Sequence, residues 1–193
     1  MSSMARQKLF DRDVALDGAI SVFREKGFSG TSTEDLLAAM GISRQSMYDT
    51  FGDKRRLYLE ALQRYNGASI SQSIQALNKA ASPVAGLEAM LTAFAKRASE
   101  PAHCLGVSSI CEFGRADGEV SALNDASGQV LVAALEKAVT AGQAAGEIDR
   151  KLDARTAAKF LTSLLAGMKV SARAGASLAD LRQIARFALQ SLT

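Results

Sequence analysis

Apolar positions along the chain recur at helical spacing and rarely alternate. In DRDVALDGAISVFREKGF, Leu16, Ala19, Ile20 and Phe23 fall at i, i+3, i+4 and i+7, which predicts a helix with one buried stripe. Gly27 stops it, and Phe28 can fold back onto the stripe. SGTST then supplies turn and cap residues: Thr31, Ser32 or Thr33 can cap a second helix that opens with Glu34 and Asp35, buries Leu36, Leu37 and Met40, and ends at Gly41. Ser43 caps a short third helix in which Met47 and Phe51 face inward, Gln45 and Asp49 point the other way, and Arg44 and Tyr48 flank them. Gly52 ends that helix, and Asp53 caps a fourth that runs through Leu57, Ala61 and Leu62.

Beyond Leu62 the pattern predicts either a continuation of the fourth helix or a break near Gly67. A helix then opens at Pro83, carries Leu87, Met90, Leu91 and Phe94, and stops by Pro101. Residues 104–120 read as a less regular helix and loop. A long helix follows from Ser127 to Ala145, with Val130, Leu131, Ala134, Leu135 and Ala138 on one side. Two more helices close the chain: one capped by Asp153 and one carrying Leu178, Leu181, Ile184, Ala188 and Leu192.

Composition narrows the class. The 193 residues are 48% hydrophobic, with two prolines and no tryptophan, so an all-α fold with a substantial core is expected. No run of eighteen apolar residues occurs, and MSSMARQKLFDRD lacks the apolar segment of a secretory signal; a cytoplasmic protein with no membrane partner is expected. Cys104 and Cys111, seven apart on a helical stretch, are too distant to pair and are expected as thiols. A net charge of +3 identifies no partner, but Lys54, Arg55 and Arg56 are consecutive.

Two short helices around a glycine turn, the second with a small apolar anchor and outward polar side chains, are what a helix-turn-helix uses to lay one helix in the major groove. Met47 and Phe51 fit the anchor, and Arg44, Gln45 and Asp49 fit the reader: Arg pairs with guanine, Gln with adenine, and Asp accepts from the cytosine amine. Thr31, Thr33, Ser43, Tyr48 and Lys54 suit phosphates, Lys54 at the start of a helix whose amides also favour an anion. Arg55 and Arg56 read as solvated or paired with Glu60.

The stretch ALDGAISVFREKGFSGTSTEDLLAAMGISRQSMYDTFGDKRRLYLEAL, Ala15 to Leu62, resembles the N-terminal domain of TetR/AcrR-type transcriptional regulators. The resemblance implies DNA contacts from Thr31, Thr33, Ser43, Arg44, Gln45, Tyr48 and Lys54. It departs from the family at Asp49–Thr50, where members often carry aromatic or His residues, so an operator cannot be borrowed from a relative. It also implies a DNA-binding domain over residues 1–62 and a larger regulatory and dimerisation domain over 63–193.

One short helix reads too few base pairs for genomic specificity, so a homodimer on palindromic double-stranded DNA is expected. The broad apolar faces of the last two helices suggest its interface, at Ala157, Leu161, Leu164, Leu165, Met168, Leu181, Ile184 and Ala188. A small apolar or aromatic effector would sit between the middle helices, against Met90, Phe94, Leu105, Ile110, Phe113 and Leu131, and loosen DNA by population shift; repression is the expected outcome. As an alternative, Cys104, near a helix start and next to the single histidine His103, would sense oxidants or electrophiles. His103, Cys104 and Cys111 lack the paired spacing of a metal site, and no cofactor motif, phosphate loop or catalytic triad pattern appears, so an enzyme is not expected.

Overall fold

The computed structural model describes residues 10–100 and 104–193, which form nine helices and no strand. The N-terminal unit comprises α1 (Arg12–Lys26), α2 (Thr33–Met40), α3 (Arg44–Phe51) and the first part of α4 (Lys54–Asn78). Each begins on a side-chain cap: Asp11, Ser32, Ser43 and Asp53. Of the three candidate caps for α2, Ser32 serves, and with Asp35 it closes a reciprocal capping box. Eight-residue helices such as α2 and α3 do not persist alone in water. Here caps fix where they start, and burial of Leu36, Met40, Met47 and Phe51 holds them in place. Helices α1 and α2 approach so closely that a Cβ on Gly18 would lie 2.5 Å from the Ala39 carbonyl oxygen.

Helix α4 runs unbroken past Gly67, so the expected boundary after Leu62 falls inside a helix that both halves share. The remaining helices are α5 (Pro83–Ala98), α6 (Leu105–Phe113), α7 (Gly118–Ala145), α8 (Ala154–Arg173) and α9 (Leu178–Gln190). Helix α7 starts at Gly118 rather than Ser127 because Asp117 caps it, its carboxylate accepting from the Glu119 and Val120 amides.

Two apolar cores result. One gathers Leu16, Phe23, Leu36, Met47, Leu57, Tyr58 and Leu62, and is completed by Leu105 of α6 and Val120 of α7. The other gathers Leu87, Met90, Leu91, Leu135, Val139, Leu161, Leu165, Met168 and Leu181. Most residues expected at the dimer interface serve this second core. Ala157, Leu161, Leu165, Met168, Leu181 and Ala188 are buried within the chain, and Leu164 and Ile184 pack against the same core. The widest apolar stripes of α8 and α9 face α7 and α5, because burial within one chain claims them first. Their outer faces keep Phe160, Val170 and Phe187 exposed, Phe187 at 73%.

Helix α6 joins the halves. Gly27, at φ 70°, turns the chain out of α1, and the Glu112 carboxylate lies over it, accepting from the Phe28 amide at 2.9 Å and the Ser29 amide at 2.7 Å. Burial pushes the Glu112 carboxyl up, but the bonds from Ser29 and Phe28 outweigh it and hold the group below its ordinary range. Phe28 packs on Tyr58 and Phe113, ring centroids 5.1 and 5.6 Å away. Arg55 pairs with Asp117 at 2.6 Å and Glu119 at 2.8 Å rather than with Glu60, which takes Arg12. A polar chain continues the seam: Asn66 donates to Asn124, Asn124 to Ser109, and Ser109 to the Gly106 carbonyl.

Candidate nucleic-acid interface and effector cavity

Helix α3 is set from both sides. Ser43 accepts the Ser46 amide at 3.1 Å, Met47 and Phe51 lock the inner face, and Arg44 forms an ion pair with Glu34 that ties α3 to α2. Lys26 in turn pairs with Asp35 at 2.6 Å, tying α2 to α1. The outer face then presents Ser43, Arg44, Gln45, Tyr48 and Asp49 to solvent, Tyr48 at 45% exposure. Gln45 and Asp49 already meet, the Gln45 amide donating to the Asp49 carboxylate at 2.8 Å. Any base these two read must therefore share or replace that bond.

Besides Ser43, which caps α3, two of the expected phosphate contacts have other partners. Thr31 is buried, with 3% exposure, and its hydroxyl donates to the Gly27 carbonyl at 2.5 Å; it closes the turn between α1 and α2 instead of facing outward. Lys54 lies over the Phe28 ring, 4.5 Å from its centroid, with the Glu112 charge nearby. Thr33 is half-buried as the first residue of α2.

The residues expected to line an effector site do not share one cavity. Met90 and Leu105 are fully buried in separate cores, Phe113 packs on Phe28 and Tyr58, Leu131 packs against the C-terminal core, and Ile110 is exposed. Only Phe94 of that set lines the cavity, which measures about 660 Å³ and lies between α4, α5, α6 and α8. Its wall mixes Tyr65, Phe94, Ala98, Val107 and Val170 with Arg24, Arg97, Lys169, Arg173, Glu100 and both cysteines. Apolar periodicity could not reveal this wall, because its polar members come from five helices, α1 among them at Arg24, that are far apart in sequence.

Cys104 caps α6, its sulfur accepting from the Val107 amide at 3.5 Å and from the Lys169 ammonium at 2.8 Å. Burial opposes ionisation of this thiol, but the Lys169 charge and hydrogen bond, with the Val107 amide and the Tyr65 hydroxyl, lower it below the ordinary thiol range. Burial and the same sulfur push the Tyr65 phenol up. Cys111 is exposed, and both cysteines are free thiols. The expected neighbour His103 lies outside the described residues. Among those residues no His, Cys, Asp and Glu cluster could hold a metal, and no helix is long and apolar enough to cross a membrane.

Two family models match the chain: bacterial regulatory proteins of the tetR family over residues 15–61, and the tetracyclin repressor-like C-terminal domain over residues 83–188. The HTH-type transcriptional repressor ComR of Escherichia coli (strain K12) is 31% identical over 187 residues, spanning 95% of this chain and 89% of ComR. The HTH-type transcriptional regulator YezE of Bacillus subtilis (strain 168) is 46% identical over 76 residues, 38% of this chain and 39% of YezE. Among solved structures, a cysteine mutant of the regulator CifR in complex with 26-bp double-strand operator DNA superposes with a TM-score of 0.84 at 28% identity, covering 96% of this chain and 99% of that one.

Proposed function

The chain belongs to the TetR family of bacterial transcriptional regulators, and on that premise we propose that it is a repressor which binds a palindromic operator as a homodimer and releases it when a small molecule occupies the cavity beside α6. The observation that carries the reading is the outward face of α3. A helix too short to stand alone is capped, anchored and ion-paired so that Arg44, Gln45, Tyr48 and Asp49 project together, which suits the major groove. Ser43, Thr33 and Lys54 lie at the edge of that face and suit phosphates; Thr31 positions the turn instead.

The test is selection of bound duplex from a randomised pool, followed by affinity for the winning sequence across a range of salt. A palindrome should emerge, with half-sites about one helical turn apart. Tyr48→Ala should weaken all sequences about equally, whereas Gln45→Ala should relax one base position by roughly 1–3 kcal/mol. Absence of any enriched sequence would refute the proposal.

The dimer face is read as the outer sides of α8 and α9, with Phe160 and Phe187 at its centre. Solvent-exposed aromatic side chains on two adjacent helices fit a four-helix contact between copies. Phe187→Glu should convert the dimer to monomer in sedimentation while leaving the helical spectrum intact, and operator affinity should fall with it. Effector response fits the path from cavity to turn: α6 borders the cavity at Cys104 and holds the Phe28–Ser29 amides at Glu112. A ligand that prefers one position of α6 would bias where α1 to α3 sit. Thiol sensing through Cys104 is the less favoured alternative, since the family assignment and the operator-bound neighbour support DNA binding and repression without requiring it.

A further inference from the structure

Two of the cavity's cations, Arg97 and Lys169, are partnered unlike five arginines elsewhere in the chain. Arg12, Arg44, Arg55, Arg64 and Arg115 each pair with a carboxylate. Arg97 and Lys169 form no carboxylate salt bridge among the described residues. Arg97 donates to the Ser73 hydroxyl at 3.3 Å and lies 5.7 Å from the Phe94 centroid. Lys169 donates to the Cys104 sulfur and lies 5.0 Å from the same ring and 6.0 Å from that of Tyr65. Both are half-buried. Withdrawing a cation from water is costly unless a counter-charge compensates, and a ring face or hydroxyl compensates only in part.

Resting on the effector-responsive reading above, we propose that the cavity takes an organic monocarboxylate with an aromatic or short aliphatic body, its carboxylate received by Arg97 and Lys169 and its body laid between Phe94 and Tyr65. The planar guanidinium suits two parallel bonds to a carboxylate, and the ammonium adds a point charge. The two rings supply the apolar walls, and a volume of about 660 Å³ is of the size that encloses a small organic molecule. A purely apolar effector would leave Lys169 with only its sulfur partner and Arg97 with only the more distant charge of Glu100 on the same wall, whereas an organic cation would face Arg97 and Lys169 directly. The site thus selects against both classes. Lys169 would exchange its sulfur partner for the carboxylate as the ligand enters, which reaches the start of α6 through Cys104.

The probes are 1-naphthoate, its neutral isostere 1-naphthamide, and decanoate, titrated into the full chain, with naphthyl fluorescence reporting the first two and calorimetry the third. At least one carboxylate should bind, the amide should bind at least about tenfold more weakly than 1-naphthoate, and Arg97→Met and Lys169→Met should each weaken carboxylate binding about tenfold. Lys169→Arg should retain it. Retained binding to the selected operator duplex certifies that each variant is folded. In a Cys111→Ser background, a bound carboxylate should slow alkylation of Cys104 by iodoacetamide, locating it in this cavity. Equal binding of the amide, indifference to both methionine variants, or failure of both carboxylates to bind overturns the inference. The DNA-binding reading would stand as long as the duplex is still bound, and only loss of duplex binding by the parent protein would count against it.

Discussion

In the N-terminal unit, α2 and α3 are eight residues each and begin on Ser32 and Ser43; in the C-terminal bundle, α7 and α8 run to 28 and 20 residues. The short helices are specified locally. Their starts, stops and inward residues follow from one cap, one glycine and two or three apolar side chains within a single turn or two. The long helices have apolar residues on more than one side, and which side is buried depends on neighbours contributed from elsewhere. Helix α8 illustrates this: Leu161, Leu165 and Met168 are buried within the chain while Phe160 and Val170, adjacent to the same stripe, remain outside. Local specification suits a reading head whose side chains must be held in fixed positions. A looser relation between sequence and burial suits a domain that, on the function proposed above, leaves room for a ligand and a second copy.

That contrast can be broken most strongly at α3. Met47→Ala removes a fully buried side chain from a helix with only two buried residues, and a loss of about 2–5 kcal/mol in urea denaturation is expected. Operator binding should disappear with it, while circular dichroism retains most of the helical signal from the longer elements. If α3 held its place by local propensity alone, the variant would bind DNA as the parent does.

The junction offers a smaller effect. Glu112→Ala removes the acceptor of the Phe28 and Ser29 amides, and a cost of about 1 kcal/mol is expected for this partly exposed site. The sharper readout is cooperativity: the N-terminal and C-terminal units should unfold with separated midpoints in the variant and together in the parent. Coincident transitions in both would mean that α4 alone couples the halves.

The smallest effect is on acid stability. Arg55, chiefly, holds the Asp117 carboxyl down to about 2, helped by the Val120 amide. A carboxylate depressed by folding contributes stability that is complete above its unfolded value near 4 and is lost as pH falls toward 2. Asp117→Asn should flatten that limb of the stability profile between about pH 4 and 2 and leave the neutral-pH slope unchanged. An unaltered acid limb would show that other carboxylates dominate it.

The sequence by itself determined the helical class, the glycine and cap punctuation of α1 to α4, the inward set Leu16, Ala19, Phe23, Leu36, Met40, Met47 and Phe51, and through its resemblance the family. These are short-range properties, fixed by residues within a few positions of one another. Only the tertiary structure decided that Thr31 turns inward, that Arg55 reaches Asp117 sixty-two residues away, that Glu112 grips the end of α1, and that the apolar faces expected at a dimer contact are the chain's own core. The cavity belongs to the same class. Lys169 stands 65 residues from Cys104, and nothing in the local pattern of either signals the other. Periodicity reports which face of a helix is apolar, but the charge and shape of a cavity arise from side chains that meet only when several helices pack.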